Sequence, residues 1–268
     1  MASLNQIITL LTDFGHGDPW VGSMKGVLWS IDPSFPIVDM SHEVPPHDVF
    51  AGSFALYRSY RDFPPWSIHL CVVDPGVGGG RRPLIVVTDD RYFIGPDNGI
   101  FSFVYEYDTV SRVIAVTADH YFRRPVSGTF HGRDVFAPVA GWLAKGIDSS
   151  RFGEVIEDYV KIPVPLERVL GEGLVKGEVC ALDRFGNLIT NVRQGTLKAL
   201  GERTGKTRFK VLVAGQEVPL VTGGYGQDLP LFALINSSGL VEVAANQRSA
   251  AQLLAITGRG KEVGVMAD

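Results

Sequence analysis

The strongest constraint on this chain is a change of pattern near residue 161. Up to that point, short apolar runs alternate with helix-like stretches; the runs are Ile7–Leu11, Ile37–Val38, Ile68–Val73, Leu84–Val87 and Val113–Val116. Between the first two, Val21, Met24, Val27, Leu28 and Ile31 share one face of a helix predicted over Val21–Ile31. Asp48 opens a second predicted helix, because an acidic side chain suits a helix start. A third is expected over Asp134–Lys145, with Pro138 either kinking it or sitting in its first turn. Apolar strands alternating with helices imply a mostly parallel α/β sheet covered on both faces. The segment Ile162-Pro163-Val164-Pro165 cannot continue a helix and reads as a linker. Beyond it come Leu174–Leu182, Asn187–Val192, Arg208–Leu212, Leu231–Ile235 and Leu240–Ala244, with turn chemistry at Asn236-Ser237-Ser238-Gly239. The expectation is an N-terminal α/β domain over 1–165 and a C-terminal β-barrel domain over 166–268. At 268 residues the chain also exceeds what one core usually organises.

Composition narrows the function classes. With 25 Lys+Arg against 29 Asp+Glu the net charge is −4, which argues against nucleic acid or an anionic membrane as the main partner. No run approaches the ~20 apolar residues that span a bilayer. Met1 to Gln6 lacks a basic segment followed by an apolar stretch, so no secretory signal is expected. Cys71 and Cys180 sit inside apolar runs; they read as reduced packing residues of a cytoplasmic protein and are too few for a cysteine-built zinc site.

Four polar clusters interrupt the N-terminal pattern. The first, Thr12-Asp13-Phe14-Gly15-His16-Gly17-Asp18, follows a strand and precedes a helix, at the carboxyl edge where parallel sheets bind ligands. Asp13 there either accepts hydrogen bonds from a ribose diol or, like Asp18, merely caps the next helix. In His42-Glu43-Val44-Pro45-Pro46-His47 the prolines forbid the helix that would align both histidines on a metal, so turn residues at a pocket rim are the better reading.

In Asp74-Pro75-Gly76-Val77-Gly78-Gly79-Gly80-Arg81 the glycines do not open a helix, since Pro83 and a strand-like run follow. The dinucleotide-cradle reading therefore fails. What remains is a carboxylate at a strand end and a guanidinium seven positions later, either a structural ion pair or a site. The fourth cluster, Ser127 to Asp134, carries His131 without a Gly-x-Ser-x-Gly elbow, so a serine-hydrolase triad is unsupported. Gly95-Pro96-Asp97-Asn98-Gly99 reads as a structural or rim loop. In the C-terminal half, Asp183-Arg184-Phe185-Gly186-Asn187, Asn236–Gly239 and Glu242–Asn246 carry more polarity than turns need, which suggests a ligand surface.

Seven ordered segments carry a family resemblance: "LTDFGHGDPWVGSMKGV", "IVDMSHEVPPHDV", "VVDPGVGGGRR", "FIGPDNGIFS", "SGTFHGRDVFAP", "DRFGNLITN" and "LFALINSSGLVEVAAN". On them the chain resembles the adenosyl-forming S-adenosylmethionine hydrolases, or S-adenosylmethionine hydroxide adenosyltransferases, relatives of the fluorinase and chlorinase enzymes. The resemblance implies an N-terminal α/β domain, a C-terminal β-barrel, and a homotrimer with its sites at subunit interfaces. It implies hydrolysis of S-adenosylmethionine to adenosine and L-methionine by water attack on the ribose 5′-carbon, with no metal and no cofactor.

By resemblance, the family's Asp–Arg–His set falls on Asp74, Arg81 and His131. Asp13 matches the ribose-diol carboxylate, Asp183 the residue that receives the methionine ammonium, and Ser237 the one near the methionine carboxylate. Asn187 matches the amide close to adenine, with the Ala245–Asn246 backbone nearby, and Tyr225 is a candidate to stack on the base. Asp74 stands where the halogenating relatives carry tyrosine, and Gly132 where they carry the halide-contacting serine, which favours water as nucleophile. His47 departs from the tryptophan of the fluorinase. Other readings open to the sequence are a non-catalytic adenosine or S-adenosylmethionine binding module, a halide-using adenosyl transferase, and a metal-dependent hydrolase built on His42 and His47.

Overall fold

The computed structural model describes residues 6–171 and 173–268; of the segment read for a secretory signal, only Gln6 falls within them. The chain forms two compact units, Met1–Val164 and Pro165–Asp268. The first runs β1 (Ile8–Thr12), α1 (Trp20–Ile31), β2 (Ile37–Ser41), α2 (Val49–Ser59), β3 (Ile68–Val72), β4 (Pro83–Thr88), β5 (Tyr92–Pro96), α3 (Ser102–Tyr107), β6 (Val110–Val116), α4 (Ala137–Ala144) and β7 (Gly153–Val155). Its seven-stranded sheet has the order β2-β1-β3-β5-β4-β6-β7.

Strands β2, β1, β3 and β5 are parallel, whereas β4 pairs antiparallel with β5 and β6, and β6 with β7. The sheet is therefore mixed, and the reason is local. Asp89-Asp90-Arg91 alone separates β4 from β5, far less than the dozen or so residues a parallel crossover needs. Strand β5 lies where turn residues suggested a loop. Its Gly95 fits because a Cβ there would overlap the Cys71 carbonyl oxygen on β3.

Alternation along the strands divides their side chains between two cores. Ile68, Leu70 and Val72 of β3 join the core containing Met24 and Leu28 of α1 and Val139 and Leu143 of α4. Cys71 and the following Val73 join the core containing Leu56 of α2 and Val104 of α3. Burial on both faces is why these strands read as unbroken apolar runs. Asp48 caps α2 as expected, accepting the Ala51 N–H at 3.0 Å.

Because β2 and β3 flank β1 on opposite sides, the two connections diverge, and a topological switch point lies at the carboxyl ends of β1 and β3. The third predicted helix starts as a π turn over Gly132–Phe136, followed by α4 with Pro138 in its first turn. Pro138 has no N–H for the Asp134 carbonyl four residues back, and that carbonyl accepts the Arg123 N–H instead, at 2.8 Å.

The second unit runs β8 (Arg168–Leu170), β9 (Leu174–Leu182), β10 (Leu188–Arg193), α5 (Gln194–Thr204), β11 (Phe209–Val213), β12 (Gln216–Pro219), β13 (Phe232–Ile235), β14 (Leu240–Ala244), α6 (Ala250–Leu253) and β15 (Glu262–Ala267). An antiparallel sheet of order β12-β11-β15-β9-β10-β14-β13 carries β8 beside β9. Leu220, just past β12, bridges Ala233 of β13 and nearly closes the sheet into a barrel. Val175, Val179, Val211, Val243, Val263 and Val265 fill its interior, and Leu197 and Leu200 anchor α5 against them. Among the described residues, no helix is long and apolar enough to cross a membrane.

Candidate active site

Asp74 lies two residues beyond β3 and Asp13 one beyond β1, so both carboxylates stand at the switch point. The glycine-rich loop after Asp74 turns back on itself: Val77 donates to the Asp74 carbonyl and Gly79 to that of Gly76. This return brings Arg81 onto Asp74. Arg81 Nε donates to Asp74 Oδ1 at 2.9 Å and Oδ2 at 3.0 Å, and Nη2 also bonds Oδ2. The Asp74 and Arg81 side chains are only 4% and 10% exposed, so this is a desolvated pair rather than a surface one. The guanidinium also lies over the Phe136 ring, 5.2 Å from its centroid.

The same guanidinium reaches across to the fourth cluster, where Arg81 Nη2 and His131 Nδ1 are 2.8 Å apart. Arginine only donates, so Nδ1 carries a bare lone pair and the neutral ring holds its proton on Nε2. Burial and then the Arg81 charge hold His131 below the usual histidine range, while Asp74 and Asp134 oppose the shift. The sequence left a structural ion pair and a site as alternatives; the geometry assembles Asp74, Arg81 and His131 into one array.

Gly78 fixes the meeting of the two loops. Its φ is +77°, and a Cβ there would overlap the Gly128 carbonyl oxygen. Both conditions exclude a side chain unless a loop moves. Gly78→Ala is therefore expected to lower turnover at least tenfold and to destabilise by roughly 1–3 kcal/mol. Steady-state kinetics and urea unfolding check this; a variant with parental turnover and stability contradicts it.

Asp13 accepts the His47 N–H through Oδ2 at 2.8 Å, and His47 takes φ +66° to deliver it. Beneath them, His42 is buried with Nδ1 2.8 Å from Thr12 Oγ1 and Nε2 3.0 Å from Asp39 Oδ1. The His42 ring thus ties the end of β1 to β2. Phe14, Trp20 and Phe130 form an edge-on aromatic group beside this loop and the one bearing His131.

In the second unit, Asp183 and Asn187 line a cavity of about 530 Å³ together with Phe185, Tyr225, Ala245 and Arg248. Asp183 Oδ1 accepts the Phe185 and Asn187 N–H groups, and Oδ2 accepts Asn187 Nδ2 at 2.9 Å. Tyr225 is steered into place by its hydroxyl, which donates to the buried Glu242 at 2.7 Å. Burial and this carboxylate push the phenol up to about 12. Ser237 and Asn246 do not line this cavity: Ser237 is exposed on the β13–β14 turn, and Asn246 donates to the Gln227 carbonyl at 3.1 Å. Phe185 belongs to the 183–187 cluster read from the sequence, whereas Arg248 is a lining residue outside every cluster. Its only signal was adjacency to polar turns.

Residues 8–153 match the SAM hydroxide adenosyltransferase N-terminal domain and residues 177–263 the C-terminal domain of the same family. A protein of Methanocaldococcus jannaschii named (R)-S-adenosyl-L-methionine hydrolase is 34% identical, with 92% of this chain and 91% of the relative covered. One of Thermus thermophilus with the same name is 35% identical over 93% of this chain and 95% of the relative. A fluorinase of Actinoplanes is 25% identical over 91% and 92%. The crystal structure of an uncharacterized conserved protein from Thermotoga maritima superposes with a TM-score of 0.88 at 35% identity, covering 97% of this chain and 99% of the other.

Proposed function

Because the chain belongs to the SAM hydroxide adenosyltransferase family, we propose that it hydrolyses S-adenosyl-L-methionine to adenosine and L-methionine, with Asp74, Arg81 and His131 preparing the attacking water. The observation that carries this reading is the bridging of Asp74 and His131 by one desolvated guanidinium. A halide site has no use for a carboxylate at that position, and a mere adenosine-binding module has no use for the array.

The sulfonium leaves as a neutral thioether, so no acid is needed at the leaving group. The difficulty lies with water, whose pKa is about 15.7. Arg81 supplies positive charge where hydroxide character develops. His131, with its proton on Nε2, donates to the water oxygen and aims a lone pair at the 5′-carbon. Asp74 Oδ1 accepts one N–H and keeps a second lone pair for the departing proton. One C–O bond forms, one C–S bond breaks, and a proton is released.

Asp13 holds the ribose diol, Asp183 and Ser237 the methionine half, and Asn187 and Asn246 the adenine. The nucleophile residues and the methionine residues belong to different units of the chain, and a homotrimer with sites at subunit interfaces is the assembly we assign. The test is incubation in oxygen-18 water with each sulfonium epimer, since the relatives' name specifies the (R) form. Adenosine gaining one heavy oxygen, with methionine as co-product, is expected. No turnover with bound adenosine or S-adenosylmethionine would favour the binding module instead.

Asp183→Ala is expected to weaken S-adenosylmethionine binding about 10- to 100-fold, the worth of a charge-assisted hydrogen bond, with a smaller effect on turnover. Calorimetry decides it, and unchanged affinity removes the assignment.

A further inference from the structure

We propose that Asp134 is a positioning residue for the hydrolysis: a buried anchor that holds the His131 ring against Arg81 and the glycine-rich loop against its neighbour. This role rests on the hydrolytic reading of Asp74, Arg81 and His131.

The Asp134 side chain is fully buried, and its hydrogen bonds go to the arginines and main chain around His131 rather than to the array itself. Its two oxygens instead gather the whole segment that carries His131. Oδ1 accepts Arg123 Nη1 at 3.0 Å and Arg133 Nε at 2.7 Å. Oδ2 accepts Arg133 Nη2 at 2.8 Å and the Ser127 backbone N–H at 2.9 Å. The main chain of the same residue adds two more ties, its N–H to the Phe130 carbonyl at 3.2 Å and its carbonyl to the Arg123 N–H at 2.8 Å. One residue therefore fixes positions 123, 127, 130 and 133 around His131.

Burial pushes the Asp134 carboxyl up, but the hydrogen bonds from Arg133, the Ser127 N–H and Arg123 outweigh it and pull its pKa down to about 2. A buried charge so completely satisfied is costly to build and strongly orienting once built. Its hold on Ser127 has a second effect. The Gly128 carbonyl is the surface on which Gly78 rests, so the segment anchored by Asp134 also sets the loop that returns Arg81 to Asp74. Misplacing a catalytic group by about 1 Å can cost on the order of a hundredfold in rate.

The experiment compares the full-length parent with Asp134→Asn, which keeps the shape but places a donor where one oxygen accepts. Turnover is expected to fall about 10- to 100-fold, with KM for S-adenosylmethionine and the calorimetric affinity for adenosine within about twofold of the parent. Long-range ¹H–¹⁵N spectra of histidine-labelled protein give the second readout, with His131 assigned by its own substitution. The parent should report the Nε2–H tautomer, and the variant a mixture.

Parental turnover, a rise in KM matching the fall in turnover, or an unaltered His131 spectrum each overturn the proposal. Should Asp134→Asn fail to fold, the double variant Arg123→Gln and Arg133→Gln loosens the same anchor from side chains that are 48% and 29% exposed. The same loss of turnover is expected, and a parental rate again overturns the role. A parent that does not hydrolyse S-adenosylmethionine defeats the hydrolytic reading; an active parent with unaffected variants defeats only the role of Asp134.

Discussion

Arg81→Ala should cut turnover of S-adenosylmethionine by roughly a hundred- to a thousandfold, the usual consequence of removing one preorganised charge from a developing oxyanion. Three losses coincide in that substitution. Positive charge near the water disappears, Asp74 is left as a buried unpaired carboxylate, and His131 Nδ1 loses the donor that fixes its tautomer. Arg81→Lys separates charge from geometry, because a single ammonium cannot span both partners as the planar fork does. It should recover less than a tenth of the parental rate. Adenosine affinity, measured by calorimetry, should stay within about twofold for both, since the residues proposed for the ribose and the base lie elsewhere. Parental turnover in Arg81→Ala would falsify the water-activating role.

Acid should destabilise the fold through His69. This β3 side chain is fully buried, its Nδ1 lies 2.8 Å from Thr9 Oγ1, and Tyr60, Phe63 and Phe93 surround the ring. Burial, helped by the nearby Arg91 charge, lowers its pKa to about 3 against an ordinary 6.5. Between those values the unfolded chain binds a proton that the native chain does not. The stabilisation is complete above pH ~6.5 and is lost as pH falls toward 3, at about 1.4 kcal/mol per pH unit. From pH 6 to 4.5 this single group should remove about 2 kcal/mol. His42 is shifted in the same direction, so the measurement is a difference: urea unfolding of the parent against His69→Gln at several pH values. The gap between the two should shrink by that amount over the interval. A pH-independent gap would mean that His69 is not the group responsible.

The sequence made β3 and β4 plain and the strand between them, β5, obscure, for physical reasons. Ile68–Val73 and Leu84–Val87 feed two cores at once, so every position but His69 is apolar and the strands stand out. Tyr92–Pro96 does not stand out, because Gly95 is there for close approach to β3 and Pro96 for strand termination, and both imitate a turn. Helix α5 was hidden by Gly195 and Gly201, which lower its intrinsic propensity while tertiary burial of Leu197 and Leu200 sustains it.

The site was legible as separate clusters. Nothing in their spacing joined Arg81 to His131, fifty positions apart, because that contact depends on Gly78 lying against Gly128. Asp134 was read as a helix start and as the end of the fourth cluster. Its true neighbours, at 123, 127 and 133, come together because a π turn and Pro138 leave its carbonyl free for Arg123.

The mixed sheet also sets what it costs in chain entropy to bring the active edge together. Strands β5 and β6 both follow β4 closely in sequence and pair antiparallel with it, so little chain must be closed before these strands meet. Strand β3 instead pairs with β1 across some sixty residues, with Ile8 opposite Ile68. Closing a loop of that length costs more chain entropy than closing the shorter ones. The pairing of β1 with β3, which carries Asp13 and Asp74 at its carboxyl ends, is therefore the one whose closure costs this sheet the most chain entropy. Losing that one pairing would part the two carboxylates while the pairings of β4 with β5 and β6 stand.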